Sequence, residues 1–258
     1  MLACLGFRPV ADAFFETPRM VALYDPLDPD RSDLAVYAGM AAELRARSVL
    51  DIGCGTGTFC CVLACLGFDA IGLDPALASL DIARSKPYAD RVTWVHGSAS
   101  SLPSSLPSSL PPPRVDLVTM TGNVAQVFLS DAEWQSVLAA AHAALRPGGR
   151  LVFETRDPAR KAWLSWNRAE TYARTSVAGI GGLETWQDLI SVDGEFVTFR
   201  GTTVFESDGA MLTSDSTLRF RSRSAVASAL LNAGFTVDEV RDAPDRPGLE
   251  FVYVASRA

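Results

Sequence analysis

The 258-residue sequence contains two lysines, Lys86 and Lys161, and two histidines, His96 and His142. No basic run exists to follow a phosphate backbone, and a formal net charge of −7 sets up a field that repels one, so no nucleic-acid partner is expected. Metal donors are equally scarce. Five cysteines stand at positions 4, 54, 60, 61 and 65, but no second Cys or His pair follows at the distance that closes a tetrahedral site, so no metal is expected. The odd number argues against an extracellular disulfide framework. The apolar residues 1–7 lack a positive flank and a small-residue cleavage site, and no later apolar run reaches bilayer length. A cytoplasmic protein without a membrane partner is the expectation.

What is present suits a globular α/β protein. Apolar residues make up 48% and charged residues 21%, which is enough to bury a core without staples. LACLGF occurs at 2–7 and again at 63–68, with no solenoid period. SSLP recurs three times over 100–111, where a proline every fourth residue removes donors and predicts a surface connection of polyproline character.

From residue 48 short apolar runs alternate with helical ones. Strands are expected at 48–52, 70–73, 92–95, 115–120 and 150–154, rich in Val, Ile and Leu as parallel strands covered on both faces are. Helices are expected at 58–65, 76–85 and 131–145, the last with Asp131 as its candidate cap. Repetition of this unit builds an open, mostly parallel, Rossmann-like sheet with right-handed crossovers. After Glu154 the rhythm changes. Three Thr/Val/Phe-rich runs at 184–192, 196–206 and 210–220 are separated by Asp193-Gly194 and Asp208-Gly209, which predict hairpins in an antiparallel insertion after the fifth strand. A helix at 224–233 and strands at 235–241 and 250–255 complete the sheet. The expected division is a helical lid segment at 1–47, a core at 48–155, a substrate-side insertion at 156–220, and a closing helix and strand pair at 221–258.

The most specific feature is VLDIGCGTGT at 49–58. A buried strand ends at Asp51, and Gly53, Gly55 and Gly57 lead into a helix, so bare backbone and unpaired N–H groups are offered to a ligand. The dinucleotide fingerprint needs glycine where Thr58 stands, which disfavours a nicotinamide enzyme. Seventeen residues beyond Gly57, Asp74 ends the second strand in IGLD, where a carboxylate can accept both hydroxyls of a ribose.

These residues resemble the class I S-adenosylmethionine-dependent methyltransferases. VLDIGCGTG matches their first-strand motif, Asp74 their second-strand acid, LRPGGRLVFE at 145–154 their turn and fifth strand, and LLNAGF…FVYVASR their closing helix and strand pair. The resemblance implies a seven-stranded sheet of order 3-2-1-4-5-7-6 and S-adenosyl-L-methionine as the cofactor. It implies cofactor contacts at Asp51, Gly53, Cys54, Gly55, Gly57, Asp74 and Pro75. The family often has an acid after the third strand to accept from the adenine amino group; Ser98 stands there, beside Ala99, and a hydroxyl accepts without charge assistance. Met120, Thr121 and Asn123 fall at the carboxyl end of the fourth strand, where open sheets bind ligands. The stretch beginning Gly122-Asn123 resembles small-molecule N-methyltransferases, which implies that Asn123 bridges cofactor and acceptor; turn stabilisation is the alternative. Tyr24-Asp25 resembles a pair that approaches the cofactor in sugar and glycine N-methyltransferases.

The expected activity is methyl transfer to a small polar metabolite, with an amine as one acceptor, by a monomer or homodimer. Tyr24, Asn123 and Arg156 are the candidate catalytic residues. Glu154, Asp157, Trp163, Trp166, Trp186 and Arg219 are further candidates for the acceptor chamber, with Arg156 or Arg219 available to pair with a carboxylate or phosphate. A non-catalytic nucleotide sensor or partner subunit, and an enzyme acting on protein or RNA, remain as alternatives.

Overall fold

The structure is a computed structural model and describes residues 11–99 and 115–258. The first LACLGF copy and the SSLP repeats lie outside the described residues. In chain order the elements are α1 (Ala13–Glu16), α2 (Pro18–Val21), α3 (Tyr24–Leu27), α4 (Asp33–Glu43), β1 (Ser48–Ile52), α5 (Thr58–Cys65), β2 (Asp69–Asp74), α6 (Leu77–Arg84), β3 (Val92–His96) and β4 (Val115–Met120). There follow α7 (Asp131–Ala144), β5 (Leu145–Arg156), α8 (Arg168–Thr171), β6 (Ala173–Val177), β7 (Gly181–Asp193), β8 (Phe196–Phe205), β9 (Met211–Arg219), α9 (Arg223–Asn232), β10 (Phe235–Asp242) and β11 (Glu250–Arg257).

Seven strands form one sheet in the order β3-β2-β1-β4-β5-β11-β10. Strands β1 to β5 run parallel, and β11 is antiparallel to both β5 and β10. This is the order 3-2-1-4-5-7-6 expected of the family. Alternation assigns the two faces. Leu50, Val118, Leu151, Phe153 and Tyr253 pack with Trp134, Leu138 and Leu230 of α7 and α9. Val49, Leu117, Val152, Val252 and Val254 pack with Leu34, Tyr37, Phe59 and Leu63 of α4 and α5. Asp51, Thr119, Glu154 and Glu250 fall on this second face, near the carboxyl ends of the parallel strands. Among the described residues no helix is long and apolar enough to cross a membrane.

The insertion is a separate sheet of four strands, β6-β7-β8-β9, where three were expected. The additional strand, β6, pairs Ala173 with Thr185 through to Val177 with Gly181. Its sequence ARTSV is exposed except at Val177, so no apolar alternation marks it. The cap of α7 also differs from expectation. Ser130 caps it, accepting from the Glu133 N–H while the Glu133 carboxylate accepts from the Ser130 N–H, both at 3.1 Å. This reciprocal bond needs a glutamate three residues after the cap, which position 130 has and position 131 lacks.

The start of β1 is pinned to β4 by Asp116, whose carboxylate accepts the N–H groups of Arg47 at 2.7 Å and Ser48 at 3.0 Å and pairs with Arg146. Burial pushes this carboxyl up, but Arg146 and the two backbone donors outweigh it and bring it down to about 2. The native state therefore binds the proton less tightly than the unfolded chain, and the resulting stability is present above about pH 4 and lost as pH falls toward 2. Urea titrations of wild type and Asp116→Asn should differ by roughly 2 kcal/mol at pH 7 and converge only as pH falls to about 2 and below. A difference that is constant with pH would rule out this ionic pinning.

Candidate active site

The turn after β1 gives Gly53, Gly55 and Gly57 φ values of 75°, 54° and 74°, in the left-handed region. Two of these glycines are also required by packing. A Cβ on Gly53 would lie 2.7 Å from the Val124 side chain, and one on Gly57 would lie 2.4 Å from the Trp94 ring. Gly55 has nothing within 4 Å on that side, so open space faces bare backbone there. Asp74 holds the turn: one carboxylate oxygen accepts the Gly55 N–H and the other the Ala76 N–H, both at 2.8 Å. Burial pushes the Asp74 carboxyl up against the pull of those two donors. Each oxygen keeps a further lone pair, as ribose recognition requires. Pro75 is half-buried, and its carbonyl lies 3.0 Å from His96 Nε2. Ser98 is half-buried and Ala99 buried beyond the end of β3. Asp51 lies under the turn, accepting from Thr119 Oγ1 at 2.7 Å, and burial pushes its carboxyl up to about 7. Cys54, Cys60, Cys61 and Cys65 are free thiols, and burial pushes Cys54 and Cys61 up, away from the reactive thiolate.

At the ends of β4, β5 and β11 the structure brings together Asn123, Glu154, Arg156 and Glu250. Met120 is buried and Thr121 half-buried as the chain leaves β4, and Gly122 and Asn123 then adopt φ of 70° and 62°. This turns the Asn123 N–H onto Glu154 Oε1 at 2.9 Å. Asn123 Nδ2 donates to Glu250 Oε1 at 3.1 Å, and Arg246 donates to the same oxygen at 2.8 Å. Arg156 is directed at Gln126 Oε1, 3.0 Å away, and at Glu250, 3.7 Å away. Burial pushes the Glu154 carboxyl up to about 7, with Glu250 adding repulsion. Asn123 therefore stabilises its turn and also serves as a junction between two carboxylates.

The N-terminal segment bridges the glycine turn and the insertion. Asp25 accepts from Thr56 Oγ1 at 2.8 Å and Thr58 Oγ1 at 3.0 Å, and pairs with Lys86 at 2.7 Å. It thus sits at the positive end of α5, where a carboxylate is favoured. The Phe15 carbonyl accepts from Ser79 Oγ at 3.0 Å. The Tyr24 ring packs 5.7 Å from Phe15 and 6.2 Å from Phe14. On the other side, the Phe14 N–H reaches Ser214 Oγ at 3.0 Å. Between the segment and β7 to β9 lies a chamber of about 590 Å³. Phe14, Phe15, Trp186 and Phe199 supply its aromatic walls, and Thr202 and Ser214 are among its hydroxyls.

The other chamber candidates lie elsewhere. Arg219 is turned to Glu195 at 3.0 Å, Asp131 at 2.8 Å and the Leu129 carbonyl at 2.9 Å. Trp163 and Trp166 pack with Phe220, Val197 and Leu189 in a small core of their own. Asp157 caps the short turn that follows β5. Sequence reading missed Phe14, Phe15, Lys86 and the hydroxyls of β8 and β9. Only alternating Thr and Ser on those strands hinted at a polar face.

Residues 49–149 match the family described as "Methyltransferase domain". An uncharacterized methyltransferase of Synechocystis is 31% identical over 160 residues, which is 61% of this chain and 68% of that protein. The chain belongs to the S-adenosylmethionine-dependent methyltransferases. It spans only 26% of the bifunctional biotin-biosynthesis protein of Cellvibrio japonicus, which it matches at 32% identity over 53% of its own length. The CcbJ methyltransferase of Streptomyces caelestis shares the fold with a TM-score of 0.71 at 22% identity, covering 88% of this chain and 90% of that one. SAM-bound CalS10, an amino pentose methyltransferase of Micromonospora echinaspora, shares it with a TM-score of 0.67 at 22% identity, over 88% and 91%.

The site of this methyltransferase fits the family's cofactor. Among the described residues open space faces the Gly55 backbone, and Asp74 presents a buried carboxylate with lone pairs to spare. Asp74→Ala should weaken binding of S-adenosylhomocysteine by about 1.5–3 kcal/mol, the scale of a hydrogen bond to a charged group. Calorimetric titration checks it, and unchanged affinity would remove the ribose role of Asp74.

Proposed function

We propose that this methyltransferase transfers a methyl group from S-adenosylmethionine to an amine nitrogen of a small, hydroxylated metabolite. The chamber carries the reading: aromatic faces cover apolar ring surfaces, and threonine and serine hydroxyls both donate and accept for a polyol. The described residues lining it are aromatic, aliphatic, hydroxyl, amide and glycine positions, without a charged side chain. That composition favours a neutral body for the acceptor over a phosphate or carboxylate.

The cofactor supplies the electrophilic methyl group when bound, and the chain's contribution is positioning and exclusion of water. In this reading Asp74, Pro75, Ser98 and Ala99 serve the adenosine end. Asp51, Gly53, Cys54, Gly55 and Gly57 serve the methionine end, and Met120, Thr121 and Asn123 mark the boundary with the acceptor. Tyr24 joins both sides, because its ring supports the two phenylalanines of the chamber while Asp25 grips the turn. Arg156 acts as a positioning residue through Gln126 and Glu250.

Labelled methyl transfer to a panel of amino sugars, amino alcohols, peptides and RNA tests the proposal. Amino sugars or amino alcohols should be methylated; transfer only to peptide or RNA, or to oxygen alone, would overturn it. With an accepted amine in hand, Trp186→Ala should raise its KM about tenfold or more, as the loss of an aromatic wall implies, and leave S-adenosylhomocysteine affinity within twofold.

A further inference from the structure

Among the described residues, the polar cluster behind Asn123 is satisfied except at two oxygens. Glu154 Oε1 accepts the Asn123 N–H, but Glu154 Oε2 is buried without a hydrogen-bond partner. Asn123 Nδ2 is committed to Glu250, which fixes the amide's orientation, because reversing it would press two acceptor oxygens together. Asn123 Oδ1 is thereby also left buried and unpartnered. Glu154 is 5% exposed and Asn123 3%. Two buried acceptors on hydrogen-bonded neighbours call for a ligand that brings at least two N–H or O–H donors.

The surrounding charges narrow the choice. Arg156 and Arg246 both turn to Glu250, while among the described residues Glu154 receives backbone donors from Asn123 and Gly122 and forms no ion pair. The groups facing Glu154 are Arg156 on its own strand, Glu250 on β11, Asp245 and Arg246 on the connection from β10, and the Asn123 turn. A buried carboxylate that forms no ion pair of its own among the described residues favours a cation, and the carbonyl acceptor on the neighbouring amide favours one with N–H groups. The position is the carboxyl end of β4 and β5, beside the cofactor turn and on the same sheet face as Asp51.

We infer that Glu154 Oε2 and Asn123 Oδ1 seat the acceptor's amine, and that Glu154 takes the proton an alkylammonium must lose before it can be methylated. This rests on the amine reading proposed above. The N–H bond breaks, its proton passes to Glu154 Oε2, and its electron pair stays on nitrogen as the nucleophile. As the new C–N bond forms, the C–S bond breaks, its pair goes to sulfur, and the positive charge moves to nitrogen. A carboxyl held at about 7 by burial lies closer to an amine than an ordinary carboxylate does, which eases the transfer.

Two experiments on the S-adenosylhomocysteine-bound protein test this. The first needs no known acceptor: the ¹³C-carboxyl resonance of Glu154, identified by its loss in Glu154→Gln and independently in Glu154→Asp, is followed during additions of methylammonium chloride and of tetramethylammonium chloride. Methylammonium should shift it and tetramethylammonium, which has no N–H, should not, with the response at least fivefold weaker in Asn123→Ala. No shift with methylammonium, or equal shifts with both ions, overturns the inference. So does a tenfold loss of S-adenosylhomocysteine affinity in Glu154→Gln, which would assign the two oxygens to the cofactor's own amino group. The second uses an amine found in the labelled screen: Glu154→Gln should lower kcat/KM at least 100-fold at pH 7, with the loss shrinking above pH 9 where the amine is already neutral. A pH-independent loss overturns the proton role. A screen that yields only oxygen acceptors sinks the amine reading itself, while the resonance titration still decides whether the two oxygens bind N–H cations.

Discussion

The site depends on one close approach: the β1–α5 turn is pressed between Val124 on one side and Trp94 on the other, with no room for a Cβ at Gly53 or Gly57. Trp94 is held in place by its own indole N–H, which donates to the Ala89 carbonyl at 3.0 Å, and its ring also fills the space above Gly72 of β2. The turn therefore reads the positions of β2, β3 and the segment after β4 at once. With Asp74 tied to Gly55, the ends of four neighbouring strands become one rigid rim. Of the turn's three glycines, Gly55 is the one with free space beside it among the described residues, and so a turn fixed by packing still has one open face for a ligand.

The N-terminal segment is held by that rim and not by its own propensity. Helices α1, α2 and α3 have four residues each, far below the length at which an isolated helix persists in water. Their order comes from docking at two ends. Asp25 with Lys86, and Phe15 with Ser79, attach them to the cofactor side; Phe14 with Ser214, and Asp12 with Ser216 at 2.5 Å, attach them to the insertion. Each bond is modest, but together they set one wall of the chamber against the other. Loss of the Asp25 contact would loosen both the cofactor turn and the acceptor wall, since the same short segment serves each.

The core strands, the glycine turn and Asp74 were legible because they are local: the apolar period marks the strands, and motif spacing puts an acid at the end of β2, whereas the sheet order came from the family resemblance. What was not legible depended on register. Strand β6 has no buried face to leave a period of two. The direction of Arg219 follows from its place opposite Phe196 at the start of β8, over whose ring its guanidinium lies at 5.3 Å, and neither partner is a neighbour in sequence. Trp163 and Trp166 could by composition be either core or ligand platform; Phe220 and Phe199 claim them for packing. The junction at Asn123 needed residues 154 and 250, which are 96 apart in sequence and meet only through the antiparallel β5–β11 register.

Asp51 and Glu154 show how the same sheet face treats two carboxyls differently. Burial pushes both up to about 7, so each adds little to stability as an anion and each costs desolvation to keep. Asp51 offsets part of that cost with Thr119 and Cys60, donors within the fold. Among the described residues Glu154 and its neighbour Asn123 have no such donor at their outer oxygens, and a buried acceptor left unpaired costs on the order of 1–3 kcal/mol. A ligand that donates to them recovers this cost on binding and stabilises the folded chain by mass action. The residual polarity thus sits at the ends of β4 and β5, beside the glycine turn that Val124 presses against.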